Sequence, residues 1–155
     1  MKETRSDPAS VESSKALHSA SPAPPPRPPK VLVVDDIEDA RVILAAPLRF
    51  AGFEVIEAAS GSEAAEKART CPPDLILLDL SMPEMDGLEV MRRLKRDPDT
   101  RNIPVLITTA YSIPRYRELA QEGGCAGFLV KPIAMEDLRD EVRRILAARR
   151  EVCSA

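Results

Sequence analysis

The sequence predicts a doubly wound α/β fold, and three observations carry the prediction. Short, solidly apolar runs recur along the chain at Val31–Val34, Leu75–Leu78, Val105–Ile107 and Phe128–Val130. Amphipathic stretches of helical period lie between them, and Gly52, Gly123 and Gly124 sit where helices should stop. Alternation of the two element types over about 120 residues is the signature of strands joined by crossover helices. Solid runs of this length suit parallel strands buried on both faces.

The elements follow in order. Val31–Val34 is the first strand, and Ala40, Ile43, Leu44, Leu48 and Ala51 share one face of the helix after it. Pro47 falls late in that helix, where it deletes a bond to the Ile43 carbonyl and should introduce a kink. Glu54–Ala58 is a weaker, alternating strand, followed by a short helix over Gly61–Arg69. After Leu75–Leu78, the helix carrying Leu88, Met91 and Leu94 precedes Val105–Ile107. Pro114–Glu122 is a short helix before Phe128–Val130, and Leu138, Val142, Ile145 and Leu146 line the last helix, which should end near Arg149. Connections should be right-handed, with helices on both faces of the sheet.

Residues 1–29 differ in kind. They hold 7 of the 15 prolines, many Ser and Ala, and almost no large apolar side chain. Such a segment cannot bury enough surface to offset its ordering entropy and is expected to be a disordered tail. Pro22-Ala23-Pro24-Pro25-Pro26-Arg27-Pro28-Pro29 should sample polyproline II as a stiff spacer. His18, the one histidine, lies in this tail and reads as neither metal ligand nor catalytic base. The expected division is a tail over 1–29, one folded unit over 30–150, and a short C-terminal tail over 151–155.

Composition excludes several classes. Of 155 residues, 44% are apolar, enough for a packed core, and the net charge of -3 lacks the basic excess of a nucleic-acid binder. No apolar run approaches the roughly 20 residues that span a bilayer, and no secretory h-region opens the chain. A cytoplasmic protein is expected. Cys71, Cys125 and Cys153 fit neither a disulfide framework nor a zinc site and read as reduced thiols.

In open α/β sheets the ligand site lies beyond the carboxyl ends of the strands. The first apolar run ends in Asp35-Asp36, the third in Asp79, the fourth in Thr109 and the fifth in Lys131. Three carboxylates, a hydroxyl and an ammonium should therefore converge on one rim. Clustered carboxylates repel one another unless a cation intervenes. Oxygen ligands without His or Cys favour Mg2+. Lys131 and Thr109 would meet phosphate oxygens by charge and hydrogen bond. The constellation reads as phosphoryl transfer with an aspartate nucleophile. Asp86, before Gly87, reads as a turn or cap residue, and Phe128 taken alone reads as core.

Val33-Val34-Asp35-Asp36, Leu78-Asp79-Leu80-Ser81-Met82-Pro83-Glu84-Met85-Asp86-Gly87, Thr108-Thr109-Ala110 and Phe128-Leu129-Val130-Lys131-Pro132 resemble the response-regulator receiver domains of two-component systems. The resemblance spans about Lys30 to Arg149. It implies a five-stranded, flavodoxin-like sheet of order 2-1-3-4-5. It implies Asp79 as phosphoacceptor, Asp36 as a direct Mg2+ ligand, Asp35 as a ligand acting mainly through water, and the Ser81 backbone carbonyl completing the metal shell. Thr109 becomes the switch hydroxyl, Lys131 the phosphate-binding lysine and Phe128 the switch aromatic. The Lys131-Pro132 bond becomes a candidate for cis geometry. Tyr111, two residues after Thr109, is placed to shield an acyl phosphate from water.

The partners the resemblance implies are a histidine kinase or histidine phosphotransfer protein upstream and an unidentified protein target downstream, with phosphorylation-linked self-association as a second output. Only Arg150–Ala155 follow the last helix, so no DNA-binding output domain is expected and direct DNA binding is not. The chain reads as a signalling receiver, not an enzyme: it catalyses only its own phosphorylation and dephosphorylation. A phosphatase of the dehalogenase type needs a second aspartate two residues after the nucleophile, where Ser81 stands. A flavodoxin needs a phosphate loop after the first strand, where Asp35-Asp36-Ile37-Glu38-Asp39 would repel phosphate. A degenerate receiver that only binds partners would lack some of the family positions, and all are present.

Overall fold

A computed structural model describes residues 27–81, 86–110 and 113–154. Residues 1–26 of the expected 1–29 tail, the motif residues Met82–Met85, and Tyr111 lie outside the described residues. Five parallel strands form one sheet: β1 (Lys30–Val34), β2 (Glu54–Ala58), β3 (Leu75–Asp79), β4 (Val105–Thr109) and β5 (Gly127–Val130). Their order is β2-β1-β3-β4-β5, so the sheet is the one expected. Between and after them run α1 (Glu38–Phe50), α2 (Gly61–Thr70), α3 (Gly87–Arg96), α4 (Pro114–Glu122) and α5 (Met135–Ser154).

The alternation of side chains along each strand divides the core in two. Leu32, Val34, Ile76, Leu78, Val105 and Ile107 face α2, α3 and α4. Val31, Val33, Leu75, Leu77 and Leu106 face α1 and α5. Every residue of β3 and β4 is buried, which is why their sequences are solid apolar runs and not alternating ones. Burial of each such Leu or Ile removes about 1.5–3 kcal/mol of apolar exposure from water.

Local chemistry sets the helix ends. The Ser60 hydroxyl accepts from the Glu63 N–H at 3.1 Å, and the Glu63 carboxylate accepts from the Ala59 N–H at 2.8 Å, which starts α2. Asp86 is the α3 N-cap, accepting from the Leu88 N–H at 3.0 Å, as the cap reading of that residue expects. Gly52 closes the turn after α1 at φ +99°, where a side chain would be strained.

Three details depart from the sequence reading. Ile43 was assigned to the buried stripe of α1 but is 70% exposed; Leu44, Ala45 and Leu48 are buried instead. Arg41 occupies the inward edge of that stripe. Its guanidinium donates to Glu57 Oε1 at 3.1 Å and to the Asp35 carbonyl at 2.8 Å, so the helix turns a charged residue toward β1 and β2 and an isoleucine toward solvent. The last helix runs to Ser154, past the expected end near Arg149, while α1 runs through Pro47 to Phe50. At the other end, the Pro29 carbonyl accepts from the Glu54 N–H at 2.9 Å, so the chain is already paired to β2 one residue before β1 begins.

Candidate functional site

The rim at the carboxyl ends of β1, β3, β4 and β5 is assembled by strand pairing. Val34 lies beside both Ala58 and Leu78, Asp79 beside Thr108, and Thr109 beside Val130. The ladder continues one step past the strands: Asp35 N–H donates to the Ala58 carbonyl, Leu80 N–H to the Thr108 carbonyl and Lys131 N–H to the Thr109 carbonyl, at 2.8–3.2 Å. The functional side chains are thus held on hydrogen-bonded backbone at each strand end.

Carboxylate oxygens of Asp35, Asp36 and Asp79 lie within 4.8 Å of one another. Asp35 and Asp79 are buried, whereas Asp36 is partly open to solvent. Asp35 is fixed by two bonds: its Oδ1 accepts from the Ile37 N–H at 3.0 Å, and its Oδ2 faces the Lys131 ammonium at 3.3 Å. Lys131 also stands 3.7 Å from Asp79 Oδ2. One ammonium therefore serves two buried carboxylates and leaves the third to solvent.

Asp79 Oδ1 accepts from the Ser81 N–H at 3.0 Å. Burial pushes the Asp79 carboxyl above its ordinary range. The Ser81 N–H and the Lys131 charge oppose that shift, and the neighbouring Asp35 reinforces it. The Ser81 hydroxyl lies 3.5 Å from Thr109 Oγ1 and accepts from the Ala110 N–H at 3.3 Å, which ties the loop after β3 to the end of β4. Gly87 is needed beneath this loop. A Cβ there would stand 2.7 Å from the Asp79 carbonyl oxygen and 2.7 Å from Leu80 Cα.

Phe128 lies farther from the rim, half-buried on β5 and packed against the core on the α4 side, with the Arg117 guanidinium 5.1 Å above its ring. The Lys131-Pro132 peptide is cis. Asp35, Asp36, Asp79, Ser81, Thr109 and Lys131 are thus brought together as the sequence implies, and Phe128 is placed one layer away. Sequence reasoning missed Arg41, which anchors the Asp35 carbonyl. A charged residue in an amphipathic helix reads as solvent-facing, and nothing in the pattern marks it otherwise.

The donor set fits Mg2+. Of the three carboxylates, the two buried ones share Lys131, the third is partly open to solvent, and no imidazole or thiolate is among them. Asp36 is the most open of the three.

Comparison with known proteins agrees with this geometry. Residues 31–143 match the response regulator receiver domain family. The chain is 36% identical over 116 residues to the polar-differentiation response regulator DivK of Brucella ovis, covering 75% of this chain and 94% of that one. Among solved structures, the chemotaxis protein CheY4 of Vibrio cholerae superposes with a TM-score of 0.72 at 34% identity, covering 76% of this chain and 98% of that one. A response regulator receiver domain protein (CheY-like) from Methanospirillum hungatei gives a TM-score of 0.75 at 22% identity, over 80% of this chain and 98% of that one, a likeness of fold.

Proposed function

The chain belongs to the response regulator receiver family, and from that premise we propose that it accepts a phosphoryl group on Asp79 from a phosphohistidine of a partner kinase or phosphotransfer protein. The observation that carries the reading is the cluster of Asp35, Asp36 and Asp79 oxygens within 4.8 Å, with Lys131 3.7 Å from Asp79. In the transfer, the bond between the histidine nitrogen and phosphorus breaks as an Asp79 carboxylate oxygen bonds to phosphorus, giving an acyl phosphate and a free imidazole.

Asp79 must be ionised to attack. The Ser81 N–H and the Lys131 ammonium favour the carboxylate against the pull of burial. Lys131 is placed to stay with the transferred group as its charge arrives. The Thr109 hydroxyl, now beside Ser81 Oγ, is the donor that would turn to a phosphoryl oxygen. Asp36 and Asp35, with Asp79 and the Ser81 carbonyl, would hold Mg2+, which when bound neutralises charge on the phosphoryl oxygens. The chain then acts as a signalling receiver in the cytoplasm, catalysing its own phosphorylation and dephosphorylation.

Output follows from packing. A phosphate adds about two negative charges to the rim. Thr109 moving toward it vacates space that Phe128, half-buried on the adjacent strand, is placed to fill. The surface formed by α4, β5 and α5 would change with it and bind a protein target or a second copy in one state better than in the other, a difference of typically about 1–3 kcal/mol.

Incubation with acetyl phosphate and Mg2+ should add one phosphoryl group to the intact protein and none to Asp79→Asn. Omission of Mg2+ or Asp36→Ala should suppress labelling. Undiminished labelling of the Asn variant would remove Asp79 as the acceptor. Phe128→Ala should label nearly as wild type yet lose the phosphorylation-dependent gain in partner affinity.

A further inference from the structure

Arg41, near the start of α1, reaches the acidic rim through its backbone. Its side chain is only 15% exposed. Nη1 donates to the Asp35 carbonyl at 2.8 Å, and Nε donates to Glu57 Oε1 at 3.1 Å. Glu57 stands on β2, and its Oε2 pairs with Arg49 Nη2 at 3.3 Å. The guanidinium is therefore held by β2 on one side and holds the end of β1 on the other. Its rigid fork of donors is what allows both bonds at once.

The bonded carbonyl belongs to the peptide unit that joins Asp35 to Asp36. A peptide is planar, so fixing its oxygen also fixes the direction of the Asp36 N–H and the place of the Asp36 Cα. Upstream, the Asp35 N–H donates to the Ala58 carbonyl at 3.2 Å, and downstream the Ile37 N–H donates to Asp35 Oδ1 at 3.0 Å. Ile37 precedes α1 and offers no side-chain cap of its own, so the bond from Arg41 supplies an anchor that the local sequence lacks. We propose that Arg41 is a positioning residue for Mg2+: it sets the Asp35–Asp36 peptide and thereby the point from which the Asp36 carboxylate meets the cation. This rests on the reading of Asp35, Asp36 and Asp79 as the metal's ligands. Residues that orient ligands without touching the metal typically change its affinity roughly 10–100-fold when lost. Charge alone predicts the opposite sign, because removing a cation beside three carboxylates should tighten the binding of another.

Calorimetric Mg2+ titration of the full chain separates the two. Arg41→Met keeps the long stem and loses the donors and the charge, whereas Arg41→Lys keeps the charge and loses the fork. Both should raise the Mg2+ Kd, Arg41→Met by about tenfold or more. In the metal-free, 15N-labelled protein the Asp36 amide resonance should move in both variants, with the β4 amides unmoved as evidence of an intact fold. Asp36→Ala is the control for the site itself. If it binds Mg2+ as wild type does, the metal site fails and this inference falls with it. If Asp36→Ala loses Mg2+ while Arg41→Met binds it as tightly as wild type or more tightly, the site stands and the role of Arg41 is overturned. Where Arg41→Met does not fold, Arg41→Lys decides alone, and an unchanged Kd there overturns the proposal.

Discussion

Lys131 and Asp35, 96 residues apart in sequence, form an ion pair of 3.3 Å in which the Asp35 side chain is 1% exposed. A carboxylate this deeply buried is tolerable only with a partner. Removing the ammonium strands the charge. Lys131→Ala should therefore lose about 1–3 kcal/mol at neutral pH without divalent ions, as read by urea denaturation. Adding Asp35→Asn to that variant should recover much of the loss. If the double variant is no more stable than the single one, the cost of Lys131→Ala comes from lost packing and not from a stranded charge.

Asp79 is held at an energetic disadvantage. Its folded carboxyl titrates above the ordinary range because burial disfavours the charged form. Such a group destabilises the fold progressively as pH rises from the unfolded value, 3.8, through the raised folded one, and the penalty persists above it. Asp79→Asn should accordingly melt higher than wild type at pH 7 without metal, and the gap should close as pH falls toward 3.8. Mg2+ should raise the wild-type melting temperature by mass action and leave the variant less affected. Equal melting temperatures of the two proteins across this range would show that the fold does not penalise the Asp79 charge.

Thr108 sits beside Asp79 on β4, fully buried, and its hydroxyl has no hydrogen-bond partner among the described residues. An unsatisfied buried hydroxyl costs about 1–3 kcal/mol. Valine keeps the branched shape without the polar atom. Thr108→Val should thus raise stability by about 1 kcal/mol in denaturant titration, against the usual direction of core substitutions. A loss would mean the hydroxyl is satisfied in solution.

The three central strands were legible because a parallel strand buried on both faces leaves an apolar run. Phe128–Val130 is an equally solid run but lies at the sheet edge, only partly buried and with Val130 exposed. In each case the residue ending the run falls on the rim by topology. That is how Asp35, Asp79, Thr109 and Lys131 were found together. The first helix was legible only in outline. Val42, Ile43, Leu44 and Ala45 are consecutive and apolar, so periodicity admits two stripes, and packing against α5 and the bonds of Arg41 choose the one that exposes Ile43. Likewise, nothing in the pattern distinguishes the exposed Phe50 from the buried Phe53 three residues later. The approach of Gly87 to the Asp79 backbone is a tertiary contact that no local pattern encodes.

Gly87 offers a test in which two physical effects have opposite signs. It is the first residue of α3, where alanine has the better helix propensity and reduces unfolded-state entropy, a gain of up to about 1 kcal/mol. Against this, the added Cβ would meet the Asp79 carbonyl oxygen and Leu80 Cα, each at 2.7 Å, and both are backbone atoms that cannot rotate away. Overpacking against an unyielding neighbour costs typically 1–3 kcal/mol. The steric term should win, so Gly87→Ala should unfold at lower denaturant concentration than wild type. The strain falls on the residue that carries the proposed acceptor, so labelling by acetyl phosphate should slow as well. A more stable variant with unchanged labelling would mean that α3 can shift away from β3 at little cost, and that this contact does not set the position of Asp79.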